Sequence, residues 1–103
     1  MPLNQIFNAL SDPTRRTLFE RLCCIGEQNV RALTNYAGIS QPAVSKHLGV
    51  LKEVGLVGHR KEGRQTHYRA KPQALAPMIS WVAVHAVHQH RLQPCNAKKR
   101  KDI

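Results

Sequence analysis

Residues 37–40, AGIS, constrain this chain more than any other stretch. Gly38 closes one apolar-periodic run and Ser40 stands at the N-cap position of the next, so one helix must stop and another start within a few residues. A glycine-containing turn of that length sets two helices at a fixed crossing angle, which defines a helix-turn-helix. The run before the turn is capped by Asn29 and points Val30, Leu33 and Ala37 inward. The run after it buries Val44, Leu48, Leu51 and Val54 and ends at Gly55. Against that apolar stripe, the front of the second helix carries Gln41, Ser45, Lys46 and His47, all able to hydrogen-bond outward.

The rest of the chain frames this unit. Leu3, Ile6, Phe7 and Leu10 recur at helical spacing, and SDP at 11–13 restarts the chain with Asp12 as N-cap and Pro13 in the first helical position. The second helix then shows Leu18 and Leu22 on one face and stops near Gly26. From Leu56 the period shortens. LVGHRK and QTHYRA flank EGR, and Gly63 can supply the positive φ that a β-hairpin turn requires. Helical period returns from Pro72 to about Leu92, with Pro77 marking a later start. The expected fold is therefore mainly α with a small β-hairpin, in the order α-α-α-α-β-β-α. A single domain over 1–93 is expected, followed by a flexible basic tail at 94–103 that contains KKRK.

Charge narrows the partner. Sixteen Lys and Arg against six Asp and Glu give a net charge of +10, which suits a polyanion, either nucleic acid or an acidic membrane surface. No apolar run reaches the roughly 18 residues that a membrane span needs, and the first ten residues show no secretory pattern. Three cysteines, two of them adjacent, make a poor disulfide framework, so a reducing cytoplasm is expected.

A helix-turn-helix places its second helix in the DNA major groove with the N-terminal residues at the base edges. Gln41 can pair bidentately with adenine, Lys46 can reach guanine acceptors, and Ser45 and His47 can bond to bases or phosphates. Ser40 opens the helix, where backbone N–H groups attract phosphate. Arg60, Lys61, Arg64 and Gln65 surround the Gly63 turn and suit a phosphate backbone or a minor groove. Arg15 and Arg16 open the second helix against its dipole, a position that a DNA phosphate or an acidic neighbour would relieve; both readings stand.

Three segments, ALSDPTRRTLFERL, SQPAVSKHLGVLKEVGLV and RKEGRQTHYRA, together resemble the ArsR/SmtB family of bacterial winged helix-turn-helix repressors over roughly residues 4–92. The resemblance implies a homodimer built through the first and last helices, acting as a negative regulator of transcription at a two-fold symmetric operator in double-stranded DNA. Leu3, Ile6, Leu75, Ile79, Val82 and Ala86 are then the expected dimer interface. On independent grounds, the apolar face of the last helix, widened by Met78, Val84 and Val87, is too broad for a lone small domain to hide.

Members of that family often sense metals. His85 and His88 are spaced i to i+3, as two ligands on one helix face would be, with His90 nearby. The resemblance places them where the later pair of a zinc site belongs, but the earlier pair falls at Pro72 and Ala74, neither of which can bind zinc. Polar decoration of an exposed face is the favoured reading. Cys23 and Cys24 could bind soft metals or oxidise if cations lowered their pKa, with Cys95 as a third ligand, although the Cys-x-Cys typical of arsenic sensors is missing from SQPAVSKHL. Buried packing is the favoured role there. No cofactor is expected to be required; a metal or thiol-reactive effector is the alternative. Catalysis is not expected, because no carboxylate partner, phosphate loop or complete metal triad accompanies these residues. The rival to a sequence-specific regulator is a DNA-architectural or RNA-binding protein, for which the tail and the net charge would suffice.

Overall fold

The computed structural model describes residues 2–91, with side chains up to Val87. Its elements are α1 (Leu3–Ser11), α2 (Pro13–Ile25), β1 (Gln28–Asn29), α3 (Val30–Ala37), α4 (Gln41–Glu53), β2 (Val57–Glu62), β3 (Gln65–Ala70), a 3-10 turn (Pro72–Leu75) and α5 (Ala76–Arg91). The expected tail at 94–103, Cys95 and the side chains of His88 and His90 lie outside the described residues.

Local chemistry sets the helix boundaries. The Asp12 carboxylate accepts from the Arg15 N–H at 2.9 Å, the Asn29 side-chain oxygen from the Ala32 N–H at 2.8 Å, and the Ser40 hydroxyl from the Ala43 N–H at 3.3 Å. Each satisfies one of the donors that a helix start leaves without a partner. Gly38 ends α3 in the left-handed region at φ 70°, which a side chain would disfavour, and so turns the chain into α4 within the predicted span.

The core gathers Leu18, Phe19 and Leu22 of α2, Leu33 of α3, and Val44, Leu48, Leu51 and Val54 of α4. Leu56 and Val57 close it from the start of β2, both essentially without exposure. Each fully buried leucine of this kind contributes about 1.5–3 kcal/mol relative to exposure, so the inward stripe of α4 anchors its outer face rigidly. In α1 the expected pattern shifts. Ile6 and Ala9 are fully enclosed while Phe7 is 38% exposed, because α1 packs on both α2 and α5. Ile6 therefore has no surface left to offer a partner, which corrects its assignment to the dimer interface.

The sheet exceeds the expected hairpin. β2 and β3 pair antiparallel from Val57↔Ala70 to Glu62↔Gln65, leaving Gly63 and Arg64 as the turn, with Gly63 at φ 63°. The short β1 adds a third strand on the far side of β3, through Gln28↔Tyr68 and Asn29↔His67, in the order β1-β3-β2. Asn29 thus ends a strand and caps a helix at once. Its side-chain nitrogen also donates to the Gln65 side-chain oxygen at 2.8 Å. Asn29→Ala removes both bonds and is expected to cost about 0.5–2 kcal/mol, read as a lower midpoint in urea unfolding; an unchanged midpoint would show that the cap contributes nothing.

Arg15 and Arg16 find partners that the sequence did not suggest. Arg15 donates to the carbonyls of Ala9 at 2.7 Å and Asn8 at 3.2 Å, and Arg16 to that of Leu10 at 2.6 Å. They cap the negative end of α1, which has no basic residue in its own last turn. The unfavourable position at the front of α2 is offset by the preceding helix. α5 begins at Ala76, after the 3-10 turn, with Pro77 in its first turn; this is the later start that Pro77 signals.

Candidate nucleic-acid interface

The front of α4 presents Gln41, Ser45 and Lys46 to solvent, while Val44 and Leu48 between them are buried. Helical period alone produces this division. Ser40 is exposed, and its oxygen is engaged as the cap; its hydroxyl proton stays available to an acceptor. His47 departs from the expectation. Its side chain is 24% exposed and its Nδ1 lies 3.9 Å from the Asp12 carboxylate, so the ring faces the start of α2. Asp12 is held below the usual carboxylate range, first by the Arg15 N–H bond and then by the Arg15 and His47 charges.

The wing cations divide into two sets. Arg60 donates through Nε and Nη2 to both oxygens of Glu27, at 3.1 and 2.9 Å, and through Nη1 to Glu62 at 3.1 Å. The Arg60 hydrogen bonds hold the Glu27 carboxyl below its ordinary range, and the two carboxylates push Arg60 further up. Such a bidentate pair is geometrically specific, and it commits Arg60 to the protein. Lys61 and Arg64 are exposed, and among the described residues no carboxylate lies within ion-pair distance of either. Gln65 is exposed and held by Asn29.

These elements enclose a polar groove of about 340 Å³ lined by Asn29, Val30, Arg31, Gln41, Arg64, Gln65 and Thr66. It joins the front of α3, the front of α4 and the wing turn. Arg31 is the residue that reading the sequence missed. Its signal was present: a basic residue in a helix's first turn, the same anomaly that singled out Arg15 and Arg16.

A second surface is apolar. Ile79 is 63% exposed, and Trp81, Val82, Val84 and Val87 are also open along α5. Ala86 is exposed, whereas Leu3 and Leu75 are half-buried, with Leu75 packed against the core. Trp81 meets Phe7 of α1 edge-on at 5.6 Å, and His85 stacks on Trp81 at 4.6 Å.

Among the described residues the candidate ligands do not converge. His85 places Nδ1 2.8 Å from the Trp81 carbonyl, which makes that nitrogen the donor and leaves one nitrogen for any other role. Pro72 and Ala74 lie in the 3-10 turn without a donor side chain, so the residues present do not fit the four-ligand zinc site. Among the described residues no group of three or more ligating side chains forms. Cys23 and Cys24 are both exposed free thiols, against the expected burial, because they fall on the outer side of the last turn of α2, past Leu22. Partial desolvation, with Cys24 and Glu20 adding to it, pushes the Cys23 thiol up. Its thiolate fraction at neutral pH then falls below that of a free cysteine. A variant with the other two cysteines replaced by serine is expected to react with iodoacetamide more slowly than free cysteine; a faster reaction would show an activated thiol.

A helix-turn-helix with an exposed polar front, beside a β-hairpin carrying unpaired cations, defines a winged helix-turn-helix DNA-binding protein. The model of the bacterial regulatory protein arsR family matches residues 12–58. The chain is 30% identical over 80 residues to the transcriptional repressor SdpR of Bacillus subtilis, covering 78% of this chain and 88% of that one. It is 41% identical over 68 residues to the arsenical resistance operon repressor of Escherichia coli, covering 66% of this chain but only 58% of the relative. Its fold matches the solution structure of the homodimeric winged helix-turn-helix DNA-binding domain Mb0332 of Mycobacterium bovis with a TM-score of 0.66 at 27% identity, over 89% of this chain and 87% of that one. The chain belongs to the ArsR family of transcriptional regulators. These are regulators, not enzymes. No helix among the described residues is long and apolar enough to cross a membrane.

Proposed function

We propose that the protein is a cytoplasmic, homodimeric transcriptional repressor that binds an inverted-repeat operator. One observation carries the DNA reading: Gln41 at the front of α4 and Arg64 of the wing line the same polar groove, so a base-reading helix and a backbone-holding hairpin work side by side. The exposed apolar strip of α5 supports the dimer, since a patch of this kind marks an interaction surface and a two-fold axis presents the same strip from both protomers. Two α4 helices then enter successive major grooves about 34 Å apart. DNA binding needs no cofactor on this reading.

Sedimentation velocity at micromolar concentration tests the assembly, and run-off transcription from a promoter overlapping the bound site tests repression. Two chains per duplex and less transcript with rising protein are the expected results. A monomer in solution, or transcription that is unaffected, would overturn the proposal.

A further inference from the structure

We infer that the groove between the wing and the front of α3 seats one backbone phosphate of the DNA, held jointly by Arg31 and Arg64, and that Arg60 is a positioning residue that fixes this seat without touching DNA. The inference rests on the DNA-binding reading above and adds to it which cations meet the backbone.

Three observations carry it. Arg31 and Arg64 come from different elements yet line one groove of about 340 Å³, room for a phosphate group with water around it. Among the described residues, neither has a carboxylate within ion-pair distance, and Arg31 sits in the first turn of α3, where a cation is unfavourable until an anion joins it. Arg60 is the opposite case. Glu27 and Glu62 together more than cancel its charge, so the outward field of this region comes from Arg31, Lys61 and Arg64.

The groove is also braced. The Arg60–Glu27 pair ties β2 to the residue just before β1, the β1–β3 pairing ties that segment to the wing, and the Asn29–Gln65 bond closes the floor at 2.8 Å. The front of α3 and the wing turn are therefore tied together, which keeps Arg31 and Arg64 on one groove, where two guanidiniums can share a phosphate.

The test measures affinity for a fixed operator duplex by fluorescence anisotropy across a salt series, on variants matched to the wild type by thermal melting. Arg31→Ala is expected to weaken binding roughly tenfold on all sequences alike and to reduce the salt slope by about 0.9 per protomer. Arg31→Lys keeps the charge and should keep the slope. Arg60→Gln and Glu27→Gln should each weaken binding with the slope unchanged. A duplex carrying one uncharged methylphosphonate in each half-site, moved along the backbone, should find a position that weakens the wild type but not Arg31→Ala. A wild-type slope in Arg31→Ala, or a slope loss in Arg60→Gln as large as the one expected for Arg31→Ala, would overturn the inference while leaving DNA binding intact. Failure of the wild type to bind any duplex would instead overturn the reading on which it rests.

Discussion

Val82→Asp is expected to separate the protein into protomers at micromolar concentration and to weaken operator binding by on the order of 10²–10⁴-fold. Val82 is 49% exposed on the open strip of α5, so the substitution leaves the protomer core untouched. With the α5 strip as the proposed dimer interface, the new carboxylate would be buried there, and burying an unpaired charge costs far more than the lost methyl contacts. Each α4 would then bind its half-site alone, without the effective concentration that the second supplies. Sedimentation velocity reads the assembly and anisotropy reads the affinity. Trp81 is a poorer probe, because it packs on Phe7 within the protomer and its removal would disturb the seating of α5. A dimer that survives Val82→Asp would place the interface elsewhere.

Lys46→Ala is expected to weaken binding by about 1–3 kcal/mol and to relax base preference at one position per half-site. Lys46 stands exposed on the front of α4 while Val44 and Leu48 hold the helix to the core, so truncation would remove the proposed base contact without moving the backbone. Gln41→Ala should do the same at a neighbouring position. This loss depends on sequence, whereas that of a phosphate contact does not, and competition with mismatched duplexes separates the two. Unchanged selectivity in both variants would mean that another surface reads the bases.

The helix-turn-helix was legible because its signals are local. Asp12, Asn29 and Ser40 each cap a helix through an N–H three residues on, and the stripe of Val44, Leu48 and Leu51 follows helical period. What the sequence hid was long-range. Arg60 reads as a wing cation like Lys61 and Arg64, but its partner Glu27 lies 33 positions away, and the Asn29–Gln65 bond spans 36. The short β1 strand has no pattern of its own, only its pairing with β3. His47 is deflected by Asp12, a carboxylate already explained as a cap. Ile6 shows why an apolar stripe does not by itself mark an interface: α1 packs on two helices of its own chain, so Ile6 is spent inside the protomer. Cys23 and Cys24 err the other way, exposed where an apolar neighbourhood suggested burial.

The most direct measurement is a selection of bound duplexes from random double-stranded DNA at one fixed salt concentration. An inverted repeat with half-site centres about one helical turn apart, roughly 34 Å, is the predicted result, with one position per half-site losing its preference in Lys46→Ala. Retention of DNA without any consensus would contradict it and leave a basic protein that binds nucleic acid by charge alone.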